Sequence, residues 1–384
     1  MEDWQNAGFG VYIHWPFCMH KCPYCDFNSH VSREVNQSLW REALLSDIRR
    51  SAAELPDRQV DTIFFGGGTP SLMPPETVAA VIEEISKVWR LGPNVEISLE
   101  ANPTSVEAGR FAGYADAGVN RISMGIQSLR DDDLKALGRM HTVAEARAAF
   151  DIARNQFERV SFDLIYARQG QTVDAWEKEL VEAIDMAVDH LSLYQLTIEE
   201  GTRFGDMYAR GTLRNLPSDN TATDMYFRTQ EVCDRYGISA YETSNHARAG
   251  AESRHNLIYW RYGDYVGIGP GAHGRISVGG QKLATETFSN PDQWLAQVSK
   301  NGWGRKSFDA VSAEDQANEY LMMSLRLAEG SDLSRYAALK GVGLDTSNIE
   351  GMISAGFISR EGEKIAATAK GRPLLNAILR QLLA

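Results

Sequence analysis

The sequence predicts an α/β fold. Six strand-then-helix units in (β/α)6 order wind a parallel sheet, and a helical C-terminal domain with a small, winged-helix-like hairpin follows. Three observations lead there. Short apolar runs alternate with helical periodicity through the first 200 residues, the mark of βα units and a parallel sheet. Polar and glycine-rich residues close the C-terminal ends of the first five strands. After about residue 200 the alternation stops, and helices lead to a last pair of short strands.

The elements follow in order. Residues 11–14 are the first strand, and a helix over 35–54 places Leu39, Trp40, Ala43, Leu44 and Ile48 on one side. Residues 62–65 are the second strand, ended by three glycines. The helix over 75–90 keeps Val78, Val81, Ile82, Ile85, Val88 and Trp89 in helical period, and Pro74 and Pro75 suit its start. The third strand is 95–99, and Thr104 with Glu107 forms a capping-box pattern for the next helix. Residues 121–126 are the fourth strand, with helices at 131–137 and 143–156. Residues 160–165 are the fifth strand with a helix at 172–188, and 191–196 is the sixth. Right-handed crossovers wind such units into a barrel or an open doubly wound sheet. Both place a site at the C-terminal strand ends, and the pattern alone does not choose. Residues 201–300 are rich in aromatics and glycines, with one long helix at 217–236. Helices at 312–329 and 346–355 are closed by Gly330 and Gly356. A hairpin of 357–359 and 365–367 turns at Glu361-Gly362, and 373–383 is the last helix.

Composition bounds the function. The 384 residues allow two or three domains at roughly 100–200 residues each, or one barrel plus an extension. With 43% hydrophobic and 23% charged residues the chain is able to bury a packed core. A net charge of -12 opposes a duplex-binding role, whose footprint is basic, so the winged-helix-like segment is expected to pack on the sheet domain rather than on nucleic acid. No apolar run reaches the length of a membrane span. The start, Met1-Glu2-Asp3-Trp4, lacks the basic and apolar parts of a secretory signal, so the expected location is cytoplasmic. Three of the four cysteines lie within eight residues, which points to metal or redox chemistry rather than a disulfide framework. Cys233 stands alone and is expected to be a buried, inert thiol.

The clustered cysteines, Cys18, Cys22 and Cys25, have the spacing C-x3-C-x2-C directly after the first strand. Three thiolates on a short loop bind three irons of a cubane cluster and leave the fourth with an open site, as catalytic metals require. Zinc is the alternative, with His14, His20 or His30 available as a fourth ligand, but its usual pattern is paired C-x2-C units. Gly66-Gly67-Gly68-Thr69-Pro70 follows the second strand, where glycines let backbone approach a ligand. Glu100 ends the third strand, Gln127 ends the fourth, and Asp163 lies in the fifth. Each alone is more often a structural hydrogen-bonding residue. Three at successive strand ends above a cysteine loop point to a bound ligand.

The cysteine loop strongly resembles the signature of the radical S-adenosylmethionine (SAM) superfamily. That resemblance implies a partial (β/α)6 TIM-type barrel, a 4Fe-4S cluster on Cys18, Cys22 and Cys25, and SAM chelating the open iron. It further implies reductive cleavage of SAM to a 5′-deoxyadenosyl radical, chemistry that belongs to the cofactors. Within the superfamily the chain resembles the oxygen-independent coproporphyrinogen oxidase, or HemN-like, branch. By that resemblance Tyr12, Gly67 and Glu100 contact the cluster-bound SAM. Tyr24, Gly68, Thr69, Gln127, Arg139 and Asp163 match positions that contact SAM or a second SAM.

Two departures weigh against the oxidase itself. Its further cysteine, two residues after the third, is Phe27 here, and the cluster loop starts within 20 residues of Met1 where the oxidase has a longer extension. A second motif, His255-Asn256-Leu257-Ile258-Tyr259-Trp260, reads H-N-x-x-Y-W. It resembles the HemW family of heme chaperones, and the likeness runs nearly end to end. It includes Tyr194-Gln195-Leu196-Thr197-Ile198-Glu199 and Gly267-Ile268-Gly269-Pro270-Gly271. This resemblance implies heme beside the cluster and SAM, with His255 the first candidate for heme attachment because imidazole is a common axial ligand. It implies transfer of heme to acceptor proteins, respiratory hemoproteins among the candidates. The net charge of -12 argues against a nucleic-acid partner, and peripheral membrane contact is left open. The alternative is a radical SAM enzyme acting on a porphyrin or another small molecule. The domains expected are a radical SAM core over 1–240, a connecting region with the H-N-x-x-Y-W motif over 241–305, and a HemN-like C-terminal domain over 306–384. One local departure is Ala167-Arg168-Gln169, where the family more often has Gly-Leu-Pro, a stiffer turn.

Overall fold

The computed structural model describes residues 2–32 and 34–384. Six strands carry the expected parallel series: β1 (Phe9–Trp15), β2 (Gln59–Gly67), β3 (Arg90–Ala101), β4 (Arg121–Gln127), β5 (Arg159–Tyr166) and β6 (His190–Gln195). They neighbour one another in chain order, all parallel. A doubly wound sheet reverses its strand order at a switch point. This series has no reversal, so it curls in the manner of a barrel and stays open.

The connecting region supplies strands to both edges. Beyond β6 lie β7 (Ser239–Ala240) and β8 (Asn245–Ala247), with β8 antiparallel to β6. Beyond β1 lies β9 (Asp264–Ile268), parallel to it, then the antiparallel meander β10 (His273–Val278), β11 (Gln281–Thr287) and β12 (Arg305–Ala310). One twelve-stranded sheet results, in the order β12-β11-β10-β9-β1-β2-β3-β4-β5-β6-β8-β7. Between β8 and β9 the chain crosses from one edge to the other, and the helix Arg254–Trp260 lies on that crossing.

Helices cover the outer face. In the helix Gln37–Ala52, Asn36 accepts the Leu39 N–H as N-cap, and Trp40, Ala43, Leu44 and Ile48 are buried as expected. Leu39 is 45% exposed, because it sits about 100° round the helix from the 40–44–48 row; Leu45 is buried instead. The helix Pro75–Val88 buries Val78, Val81, Ile82 and Ile85, and Trp89 is buried just past its end. These side chains join Phe9, Val11, Ile13 and Trp15 of β1 in one core between sheet and helices. Cys233 is fully buried there, and burial pushes its thiol up to about 12, so it is inert as expected.

The C-terminal part has its own core, built from Leu321, Leu333, Tyr336, Ile349, Ile358, Ile365 and Ile378. The hairpin Ile358–Glu361 and Lys364–Ala367 pairs with Ser331–Asp332 in a three-stranded sheet. The helix expected over 312–329 ends at Ser324, whose hydroxyl bonds back to the Tyr320 carbonyl and to Ser331. A further helix, Leu333–Lys340, is opened by Asp332, which accepts the N–H groups of Ser334 and Arg335. Arg275–Glu319 and Arg335–Asp3 ion pairs tie this part to the sheet domain.

Candidate functional site

The cysteine loop leaves β1 at Trp15. Phe17–Cys18 pairs with His30–Val31, so the loop is closed on itself at its base. Cys18 is buried, whereas Cys22 and Cys25 are half-buried. Each sulfur has a donor beside it: Thr69 Oγ1 donates to Cys18 Sγ at 3.4 Å, Arg139 Nη1 to Cys22 Sγ at 3.4 Å, and Ser29 Oγ lies 4.0 Å from Cys25 Sγ. Such donors stabilise bound thiolate, which burial otherwise disfavours: it pushes the free Cys18 and Cys25 thiols up. No group of three or more His, Cys, Asp or Glu among the described residues is placed to hold one metal ion. A mononuclear zinc site needs such convergence, whereas a cubane takes one thiolate on each of three irons.

The glycine loop lies against this strand. Gly68 N donates to Trp15 O at 2.7 Å, and Thr69 N to Phe17 O at 2.9 Å. A Cβ on Gly67, whose φ is +113°, would lie 2.7 Å from the His14 ring, and one on Gly68 2.8 Å from Phe17 O. The glycines are therefore needed to seat the loop against the cysteines. Gly67 N also donates to Glu100 Oε2 at 3.3 Å.

Cysteines, glycine loop and strand ends enclose a cavity of about 560 Å³. Its walls include Cys18, Cys22, Cys25, Tyr24, Gly67, Gly68, Thr69, Glu100, Gln127, Arg139 and Asp163, all expected from the sequence. Burial, reinforced by the negative Asp163, pushes Glu100 up to about 8, and burial pushes Asp163 up to about 6. Among the described residues neither carboxylate sits in a salt bridge, and only Arg139 and Arg121 act on Asp163 from a distance, so the pair is poised for a cationic ligand. SAM carries an ammonium and a sulfonium and fits that demand. Arg139, beyond the helix Asp131–Ala136, donates to Asn102 Oδ1 at 2.6 Å and Gly125 O at 2.7 Å as well as to Cys22, so it ties the cysteine loop to β4. The three thiols and the carboxylate-lined cavity thus fit a 4Fe-4S cluster with SAM; bound together, these supply one-electron reductive cleavage of SAM.

Two expected residues do not line the cavity. Tyr12 lies under it, with its hydroxyl bonded to His14 Nδ1 at 3.0 Å and its ring stacked on Phe64. His255 lies at the other end of the strands and is fully buried. Its Nδ1 shares a hydrogen bond with Thr62 Oγ1 at 2.6 Å, its Nε2 bonds Tyr259 OH at 2.7 Å, and its ring stacks on Phe64 at 5.0 Å. Burial pushes it down to about 3, so the ring is neutral. As folded, neither nitrogen is open to a heme iron; the H-N-x-x-Y-W helix plugs the barrel. The sequence reading missed Asn102, Ser123, Ser244 and Tyr194 as further wall residues. Only Tyr194 carried a signal, its place at the end of a strand.

The Ala167-Arg168-Gln169 departure has a structural content of its own. Ala167 adopts φ +56°, the left-handed region that suits glycine. Arg168 is buried and pairs with Glu179 and with Asp133 Oδ2 at 2.8 Å. Glu179 in turn accepts Ser128 Oγ at 2.8 Å and Leu129 N at 2.7 Å, which holds the segment following Gln127.

Comparison with known proteins accords with this geometry. The profile of the radical SAM superfamily matches residues 12–183, and that of the HemN C-terminal domain matches 311–374. The heme chaperone HemW of Escherichia coli is 37% identical, over 97% of this chain and 98% of its own. That of Haemophilus influenzae is 35% identical over 96% of both chains. The mitochondrial radical S-adenosyl methionine domain-containing protein 1 of Danio rerio is 37% identical over 97% of this chain and 86% of its own. The solved coproporphyrinogen III oxidase HemN of E. coli superposes with a TM-score of 0.82 at 22% identity, covering 98% of this chain and 90% of that one, which shows a shared fold. The chain belongs to the HemW family within the radical SAM superfamily.

Proposed function

We propose that this protein is a heme chaperone: it binds heme, holds a 4Fe-4S cluster with SAM, and passes heme to acceptor proteins, respiratory hemoproteins among them. The observation that carries the reading is near-complete coverage, in both directions, by relatives named heme chaperone HemW. Phe27 adds to it, standing where the oxidase has a further cysteine. It is half or more exposed at the cavity mouth, where a large apolar side chain meets a ligand rather than a metal. No helix among the described residues is long and apolar enough to cross a membrane, and the cytoplasm is the proposed location. Titration of the anaerobically reconstituted protein with hemin, followed by addition of an apo-hemoprotein, tests the proposal. Stoichiometric binding and transfer are expected; failure to bind hemin refutes it.

A second reading is a radical SAM enzyme acting on a porphyrin. The intact SAM cavity and the HemN-like fold support it. Conversion of coproporphyrinogen to protoporphyrinogen under anaerobic reduction decides for it.

A further inference from the structure

A second cavity, of about 530 Å³, opens beside the first. His20, Lys21, Cys22 and Cys25 line both, so the cysteine loop is the partition between them. The two differ in charge. The first has the carboxylates Asp26, Glu100, Asp163 and Glu199 in its wall against the cations Lys21 and Arg139. The second has Lys21, Lys135 and Arg203, with no carboxylate among its described lining residues. On a chain of net charge -12 a carboxylate-free basic cavity is not the default surface. Lys135 has one partner, Asp132 at 3.4 Å, but both side chains are largely exposed and so their pair is weak and easily exchanged.

The rest of the wall is apolar or soft: Phe204 and Met207 flank the basic residues. An accessible imidazole is also present. Of the eight histidines, His14, His141, His190, His246 and His255 are buried, and His30 is half-buried with Nε2 on Asn28 Oδ1. Only His20 and His273 are exposed, and of these His20 lines both cavities whereas His273 lines neither. Iron porphyrin is a flat apolar disc with two carboxylates and an iron that takes imidazole or thioether ligands. A volume of about 300–1,000 Å³ suits a ligand of that size.

We infer that this second cavity is the heme site, with His20 as the iron ligand and Lys135 and Arg203 pairing with the propionates. The inference rests on the chaperone reading and locates its cargo: heme lies against the cysteine loop on the face opposite SAM. His255, at the far end of the strands, is then a packing residue and no part of the heme contact.

The test is hemin titration of the full chain with its cluster reconstituted, followed by the Soret band. Wild type, His20→Ala, the double variant Lys135→Glu/Arg203→Glu, and His255→Gln are compared. Iron and sulfide content, measured first, separates loss of heme from loss of the cluster. The wild type is expected to bind one equivalent. His20→Ala is expected to shift the Soret maximum and weaken binding at least tenfold. The charge reversal, distant from the cysteines in sequence, is expected to weaken it at least tenfold and flatten its salt dependence, while His255→Gln titrates as wild type. If His20→Ala loses its cluster, the charge reversal decides. Wild-type titration in both cavity variants overturns the site alone. Absence of hemin binding in the wild type overturns the chaperone reading and the site with it. An unchanged hemin titration with slower reduction of the cluster by an acidic donor protein, in the charge reversal, overturns the heme site in favour of protein docking.

Discussion

Replacing Arg168 with leucine, the residue to which family resemblance points, removes a buried cation without a large loss of side-chain volume. Arg168 is 3% exposed and Glu179 1%. The guanidinium also donates to Ile165 O at 2.8 Å. Leucine there leaves the Glu179 carboxylate buried beside an apolar group. Removing one partner of a buried pair costs about 3–5 kcal/mol. The Asp133 part adds little: that side chain is 30% exposed, and water takes the place of the pair. With a urea m-value of about 3 kcal/mol/M, the unfolding midpoint should fall by roughly 1–1.7 M at constant m. Glu179→Gln in the same chain removes the orphaned charge, so the double variant should be more stable than the sum of the singles by about 2 kcal/mol. SAM affinity should weaken in Arg168→Leu, because Glu179 holds Ser128 and Leu129 next to Gln127. A midpoint shift below about 0.3 M, or strict additivity in the double variant, refutes the view that this pair anchors the site.

Ala167→Gly should stabilise the chain by about 0.5 kcal/mol, the relief of a left-handed alanine less the added freedom of the unfolded glycine; a lower urea midpoint would contradict it. Glu100 gives a pH dependence with a definite sign. Its pKa is raised from 4.5 to about 8, so without SAM its contribution to stability is greatest at low pH and falls as pH rises from 4.5 to about 8. SAM binding runs the other way: a cation prefers the ionised carboxylate, so affinity should rise about tenfold between pH 7 and 9, and Glu100→Gln should abolish the rise in equilibrium dialysis. Gly67→Ala should lose SAM binding and at least about 1 kcal/mol of stability, since the residue has φ +113° and its Cβ would meet His14 at 2.7 Å; calorimetric titration checks both. Cys233→Ala should leave cluster iron unchanged while costing about 1–3 kcal/mol through the lost buried thiol, and a loss of iron would refute its inert role.

The sequence by itself determined the parallel βα series and the cysteine triad. It also determined the set of strand-end residues around Gly67, Glu100, Gln127 and Asp163. These rest on local information: hydrophobic period, capping residues and fixed short spacing. The convergence of that set on one cavity was legible because consecutive parallel strands must end on the same side. Tertiary structure decided what depends on contacts distant in the chain. His255 meets Thr62 across 193 residues, and that contact makes the H-N-x-x-Y-W segment a plug rather than an open ligand. Tyr12 sits under the cavity instead of in its wall, because its hydroxyl finds His14 two residues on and its ring finds Phe64 on the next strand. The antiparallel meander beyond β9 gave no pattern to read, and of the second cavity only the part formed by the cysteine loop was marked by a motif. Lys135, Arg203 and His20 come from three separate segments and share a wall only after the strands have folded. Charge and burial are properties of that folded surface, so the sign of each cavity was decided there.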